Sequence, residues 1–322
     1  MGSRHRPRLA VRAGVRRRAR LRQGARLAGL APRICSLLPS ATEIVGALGR
    51  TDWLVGRSAE CDFPPEVAGL PVVTASRVET AALSSRDIDD AVRAAVLSGR
   101  SLYAVDEALI RLLRPDVVIT QDLCHVCAVS GDDVGRITSL DAQVVSLDPR
   151  TIADIEATVA ELGALLDAEA AAAEVVARMR RTITAAADAV AGLEPVPVFA
   201  AEWLDPPFAA GHWVPEMVEL AGGREVVGQA GGPSFPVTWD AVRAAGPRIV
   251  VVAPCGFGAE RAAAEAAAVT FPCTAVAVEA DSYYSRPAPR VADGVAQLAH
   301  ILHPHAAPDP GLPAIVLEPA AA

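Results

Sequence analysis

Short apolar runs alternate with amphipathic stretches along most of the chain. The run "ICSLL" (34–38) meets Pro39, and Ser40, three residues ahead of Glu43, reads as a capping box. Helix is predicted to Leu48, with Gly49 as a left-handed stop. "LVG" and "PVV" read as short strands, and "SSRDIDDAVRAAVLSG" as a capped helix. "DEALIRLLRPDVVIT" reads as helix, proline and buried strand, and "QVVSLD" as another buried strand. Such alternation predicts a parallel sheet, with ligands at the C-terminal ends of its strands.

The pattern changes at Thr151. From there to about Ala191 the chain is Ala-rich, has no proline and reads as a short helix followed by a long one. About 25 residues of helix span roughly 38 Å, enough to bridge two lobes. After "LEPVP" the alternation resumes: strand "VFAAEW", helices "PEMVELAGG" and "WDAVRAAG", strands "RIVVVAP" and "AVAVEA", and a final helix "RVADGVAQLAHILH". Two lobes, each with its own apolar core, are therefore expected. The division is an Arg-rich tail (1–32), an N-terminal α/β lobe (33–150), a helical connector (151–193), a C-terminal α/β lobe (194–306) and a loose tail (307–322). An internal echo supports related lobes. "DEALIRLLRPDVVITQDLC" and "WDAVRAAGPRIVVVAPC" share the order acid, helix, proline, apolar strand, cysteine; "ATEIVGALG" matches "VPEMVELAGG". The span between Phe257 and Asp281 looks short for strand, helix and strand, which suggests a trimmed sheet edge.

Charge is unevenly distributed. Eleven arginines and no acid lie in residues 1–33; the whole chain is −8, which leaves −19 on the remainder. No lysine is present. An acidic body argues against nucleic-acid binding. No run of about 20 apolar residues exists, so no transmembrane helix is expected. The Arg block lacks the apolar core of a secretion signal, and the sequence as written points to the cytoplasm. Six cysteines in 322 residues do not make a disulfide framework.

Aromatic residues make up 4% of the chain, yet they cluster in "EWLDPPFAAGHWVPEMVELAGG" (202–223). The prolines are expected to keep "LDPPF" out of regular structure, so that Trp203, Phe208 and Trp213 project from irregular backbone at a strand end. A second cluster, "DSYYSRPAPR" (281–290), pairs Tyr283 and Tyr284 with Arg286. Together they suit a broad, partly apolar ligand with polar edges. Flat rings that bury 150–250 Å² each, at roughly 25 cal/mol per Å², support affinities on the order of −8 kcal/mol. In "CHVC", Cys124, His125 and Cys127 could hold a soft metal, form a redox dithiol, or simply pack. No GxGxxG, P-loop, GxSxG or HExxH motif appears.

Six stretches together carry a resemblance: "RICSLLPSATEIVGALG", "LVGRSAECDFPPEV", "SLYAVDEALIRLLRPDVVITQDLCHVCAVS", "EWLDPPFAAGHWVPEMVELAGG", "VVVAPCGF" and "SYYSRPAPRVADGVAQLAHILHP". From about Arg33 to Pro304 the chain resembles the cobalamin-binding branch of the Fe/B12-type (class III) substrate-binding proteins of ABC importers. The resemblance implies two Rossmann-like parallel-sheet lobes joined by a long rigid helix, fitted by residues 168–191. It implies cobalamin as bound ligand in the interlobe cleft, little hinge closure, no catalysis, no catalytic cofactor and a monomer. Ser40, the stretch "CDFPP" with Cys61, Asp62 and Phe63, and the stretch "QDLCHVC" with Cys124, His125 and Cys127 would line the N-lobe side, where His125 or a cysteine thiolate could face the ligand's cobalt as an axial partner. Trp203, Pro207, Phe208, His212, Trp213, Ser282, Tyr283, Tyr284 and Arg286 would line the C-lobe side. One acid per lobe would dock on a permease, with Asp106 or Glu107 and Asp240 as candidates. Proteins of this kind work outside the membrane, but "PRICS" around Cys35 lacks the small residues of a lipobox. Haem or a ferric siderophore is the rival ligand, although a siderophore would call for more basic residues than Arg286 and Arg290. A cytoplasmic thiol-dependent corrinoid-handling enzyme that uses Cys124, His125 and Cys127 is the rival from another class.

Overall fold

Two sheets grow from the two halves of the chain in the same strand order. The computed structural model of the protein describes residues 31–78, 80, 82–98, 101–121 and 142–317. In the N-terminal half, β1 (Ile34–Ser36), β2 (Leu54–Arg57), β5 (Val117–Thr120) and β6 (Gln143–Ser146) form a parallel sheet in the order β2-β1-β5-β6. A separate antiparallel pair joins β3 (Thr74–Ser76) to β4 (Tyr103–Val105). In the C-terminal half, β7 (Val196–Leu204), β9 (Gly223–Glu225), β11 (Ile249–Val252) and β12 (Thr274–Val278) repeat the parallel order as β9-β7-β11-β12. Three antiparallel strands extend this second sheet: β8 (Pro207–Ala209) and β10 (Phe235–Pro236) beside β7, and β13 (Ala314–Leu317) beside β12.

The helices are α1 (Pro39–Ala47), α2 (Ser85–Leu97), α3 (Glu107–Leu113), α4 (Ile152–Leu165), α5 (Glu169–Ala189), α6 (Val214–Leu220), α7 (Trp239–Ala245), α8 (Ala259–Ala266), α9 (Ala280–Tyr283) and α10 (Val291–Leu302). The internal echo becomes structural here. α3 and α7 each end in a left-handed residue, Arg114 and Gly246, before a proline and a central strand. α1 and α6 each carry proline in the first turn. The connector is α4 and α5: Thr151 and Asp154 form a capping box on α4, and α5, of 21 residues, is about 32 Å long.

Side chains alternate across both sheets with a period of two. Ile34, Val117, Ile119, Val198, Ala200, Val251, Val276 and Val278 face one large apolar cluster; Phe199, Ala201, Val250, Val252, Ala275 and Ala277 face another on the outer side of the second sheet. The large cluster runs unbroken from the first sheet through α1, α4, α5, α6 and α10 to the second. The expectation of a separate core for each lobe is therefore corrected, because the connector helices lie in the core and fuse the two halves. Among the described residues, no helix is long and apolar enough to cross a membrane.

Four local expectations also change. Ser40 makes no capping bond to α1, because Glu43 is drawn instead toward Arg290, far along the chain. "PVV" supplies only an isolated bridge, Arg57 to Val72, and the strand begins at Thr74. "LDPPF" is a tight hairpin: Leu204 pairs with Pro207, and proline is tolerated as the first residue of β8. The end of the chain is not loose throughout, since Ala314–Leu317 pairs along β12 and completes the edge that looked trimmed.

The tightest joint lies between α4 and α5. A Cβ on Gly163 would sit 2.4 Å from the Ala172 Cβ. Gly163→Val is expected to cost about 1–3 kcal/mol through overpacking, read as a lowered urea midpoint at unchanged slope.

Candidate functional site

The N-terminal end of α1 and the C-terminal ends of β5, β7 and β11 converge on one cleft, where an α/β architecture places its ligands. Its volume is about 420 Å³, within the range of small-molecule sites. Leu38, Pro39, Ser40, Glu60 and Gln121 line it from the first half; Trp203, Phe208, His212, Trp213, Cys255 and Phe257 line it from the second.

The aromatic wall rests on strands. Trp203 on β7 and Phe208 on β8 are register partners, not residues of an irregular loop. Trp203 packs against Phe257 with ring centroids 5.3 Å apart in an edge-on arrangement, a favoured geometry for such pairs. The Trp213 indole is buried and its Nε1 donates to the Tyr284 carbonyl at 2.7 Å. His212 has φ of 51° and lies 5.8 Å from the Trp213 ring. It is held by a backbone clamp: its N–H donates to the Gly232 carbonyl at 2.6 Å and its carbonyl accepts from Gly231 at 2.8 Å. Gly211 permits this close approach, because a Cβ there would meet Pro233 and Ser234 backbone at 2.5 Å. Burial, with the charge of Arg150 behind it, holds the His212 pKa below the ordinary imidazole value. The ring therefore presents a neutral nitrogen donor at neutral pH.

The charged groups divide sharply. Glu60, Asp89, Glu202 and Asp281 line the cleft, against two cations, Arg261 and Arg286. Arg286 is engaged: its Nη2 donates to both oxygens of Asp281 at 2.8 Å and to Asp62 at 3.2 Å, and its Nη1 bonds Asp62 as well. Burial alone would lower its pKa, but the two carboxylates hold it well above the usual guanidinium value. Asp62 is moved the other way: burial raises it, the Arg286 bonds and charge lower it further, and the net shift is down. Glu60 is raised, first by burial and then by the Asp281 charge. Arg261 donates to the Thr80 carbonyl at 2.6 Å and lies 3.8 Å from the Phe257 centroid, within cation–π range.

Below this layer Arg290 forms a second brace. Its Nε and Nη2 donate to Glu43 Oε2 at 2.9 and 2.7 Å, and its guanidinium lies over Phe63, 4.1 Å from the ring centroid, and near Tyr283, 5.5 Å away. The Glu43 side chain is 2% exposed. Burial pushes its pKa above the ordinary carboxylate value more strongly than the Arg290 bonds pull it down.

Of the residues expected in the site, Ser40, Trp203, Phe208, His212, Trp213, Tyr284 and Arg286 line the cleft. Several others have different duties. Cys61 is buried, accepts the Thr42 hydroxyl at 3.0 Å and has its thiol pKa raised by burial; it is a packing residue. Asp62 anchors Arg286, and Phe63 and Tyr283 flank Arg290. Tyr284 is 1% exposed and its hydroxyl donates to Gln297 at 2.8 Å, so its ring belongs to the core and cannot stack on a ligand. Pro207 starts β8 and Ser282 lies in α9; neither lines the cleft. Cys124, His125 and Cys127 lie outside the described residues. Among those described, no group of three His, Cys, Asp or Glu is placed to hold a metal ion. Gln121, the first residue of "QDLCHVC", lines the cleft as expected, whereas the sequence reading missed Glu60, Glu202 and Phe257. Phe257 follows a central strand, and the strand-end rule applied to β11 would have found it.

A family model described as periplasmic binding protein matches residues 34–269. The chain belongs to the periplasmic binding protein family. Its architecture is that of the class III members, and the family consists of solute-binding proteins, not catalysts. Similar solved structures include a periplasmic heme binding protein from Pseudomonas aeruginosa, at 19% identity and TM-score 0.65, covering 90% of this chain and 99% of that one. A possible iron-binding protein from Staphylococcus epidermidis gives 19% identity and TM-score 0.63, covering 84% and 98%. The vitamin B12 binding protein BtuF of Vibrio cholerae gives 21% identity and TM-score 0.55, covering 84% and 96%. At these identities the likeness shows the fold alone. No curated protein matches the chain.

The Glu43–Arg290 brace makes a direct prediction. Arg290→Met leaves a buried carboxylate unpaired and is expected to cost about 3–5 kcal/mol in urea unfolding, most of which the double variant Glu43→Leu/Arg290→Met recovers.

Proposed function

We propose that the protein binds a corrinoid, cobalamin, in this cleft and delivers it as the substrate-binding component of an ABC importer. The observation that carries the choice of ligand is the charge of the cleft. Among the described residues four carboxylates line it against two cations: Asp281 is paired with Arg286, which Asp62 also holds, Asp89 is paired with Arg93, and Arg261 lies against a carbonyl and a ring. Haem carries two propionates, and ferric siderophores are commonly anionic. Either would bring negative charge against a lining that, among the described residues, holds four carboxylates and two cations, and like charges at close quarters are repelled strongly in a low-dielectric site. A corrin ring is fringed by neutral amides, whose N–H groups can donate to those carboxylates. Trp203, Phe208 and Trp213 supply the apolar wall for its flat face.

One observation favours haem as the second reading. His212 lines the cleft as a neutral imidazole, a good ligand for iron as well as for cobalt. Permease docking through Asp106 or Glu107 and Asp240 remains our reading. In its support, α3 and α7 are equivalent helices of the two halves, and all three acids lie at their N-terminal ends. Asp106 caps α3 through the Leu109 amide, Glu107 pairs with Arg111, and Asp240 pairs with Arg243 while its side chain stays 90% exposed. Of the three, Asp106 and Asp240 are exposed and Glu107 is half-buried.

Calorimetry with cyanocobalamin, hemin and a ferric siderophore tests the ligand. Cyanocobalamin is expected to bind with Kd below about 1 µM, and Phe208→Ala is expected to weaken it about tenfold, or 1.4 kcal/mol. Tight hemin binding with none of cyanocobalamin would overturn the corrinoid reading.

A further inference from the structure

Helix α2 belongs to the N-terminal half by sequence but is seated on the C-terminal half. Ile88, 6% exposed, joins the outer apolar cluster of the second sheet, with Val92 packed beside it. Neither belongs to a cluster of the first half. Polar bonds surround this plug. The Ser85 N–H and hydroxyl both donate to Glu265, at 3.0 and 2.8 Å. The Trp203 indole donates to the Ser85 carbonyl at 3.0 Å. Arg86 forks onto Asp205 at 2.9 and 2.6 Å. Ile88, Asp89 and Val92 at the same time line the cleft, so α2 forms a third wall across its mouth.

The strength of these contacts differs from that of the braces beneath. The Arg86 and Asp205 side chains are 64% and 42% exposed, and exposed ion pairs hold weakly. Of the thirteen residues of α2, just Ser85, Ile88 and Ala95 are buried, the profile of an element that opens locally before the rest of the fold. Glu43, by contrast, is buried with the core, and its partner Arg290 is 17% exposed.

We propose that α2 is a latched roof. Its release from Glu265 and Asp205 opens the cleft, and the seated helix contributes Ile88, Asp89 and Val92 to ligand selection. The proposal rests on the reading of the cleft as a binding site, but its test needs no corrinoid. Cys255 lines the cleft and serves as reporter. Alkylation by iodoacetamide, mapped by peptide mass, is compared between the wild-type protein and Arg86→Ala/Glu265→Ala, alongside amide hydrogen exchange. Both substitutions lie outside the cleft lining. Exchange over residues 85–97 is expected to accelerate about tenfold or more while β1 and β7 keep their rates, and Cys255 alkylation is expected to rise by a similar factor. Unchanged exchange in α2 would show that the latch holds nothing and would overturn the proposal. Faster exchange with unchanged Cys255 alkylation would show that the roof does not gate the cleft, and would overturn it equally. Failure here leaves the corrinoid reading standing, since that is judged by cyanocobalamin binding alone.

Discussion

Two guanidinium groups, four residues apart, cross from the C-terminal half into the N-terminal half, and the geometry of the site depends on them. Arg290 ends on Glu43 and Arg286 on Asp62, with Asp281 completing the second pair from its own side. A carboxylate as buried as Glu43 is costly unless paired, and here the partner comes 247 residues later in the chain. The Arg290–Glu43 bond therefore cannot be exchanged for water without penalty, whereas the Asp62 side chain is 59% exposed and its bond is the weaker tie. The apolar cluster that passes through α4 and α5 ties the halves again. A cleft built over such a joint is preformed; its width is set by the braces, not by its ligand.

That constraint also decides the chemistry of the cleft. The arginines that a sequence reader would assign to an anionic ligand are consumed in holding the halves together. Among the described residues, carboxylate, imidazole and aromatic surface line the rest of the cavity, with Arg261. Under the corrinoid reading we propose, structure and selectivity are coupled, because Arg286 lines the cleft while it is held by the joint. Motion, where it occurs, is left to elements outside the joint, such as α2 with its exposed Arg86–Asp205 pair.

Much of the architecture was legible because it is local. The strand, proline and helix order around β1, β5 and β11, the two-helix connector and the cap of α2 at Ser84 all follow from residues within a few positions of one another. Even the doubled lobe was visible, as an echo that became the shared strand order β2-β1-β5-β6 and β9-β7-β11-β12. The errors came from long-range partners. Ser40 and Glu43 have capping spacing, but Arg290 takes the carboxylate. Tyr284 looks like a binding aromatic beside Tyr283, yet Gln297 and the Trp213 indole fix it in the core. "AIVL" near the end has no local partner and becomes a strand because β12 offers an open edge. The site was half legible for the same reason. Scarce aromatics pointed to the cleft, whereas the pairing of Arg286 with Asp62 could not be read without the fold.

The rigidity of the joint can be measured by electron–electron spin distances. Leu112 in α3 and Val316 in β13, exposed on opposite halves, are suitable label positions once accessible native cysteines have been replaced. The account predicts one narrow distance distribution before cyanocobalamin is added, shifted by no more than about 2 Å afterwards, as in preorganised complexes. Two populations in the protein alone, or a shift well beyond that limit on binding, would contradict it.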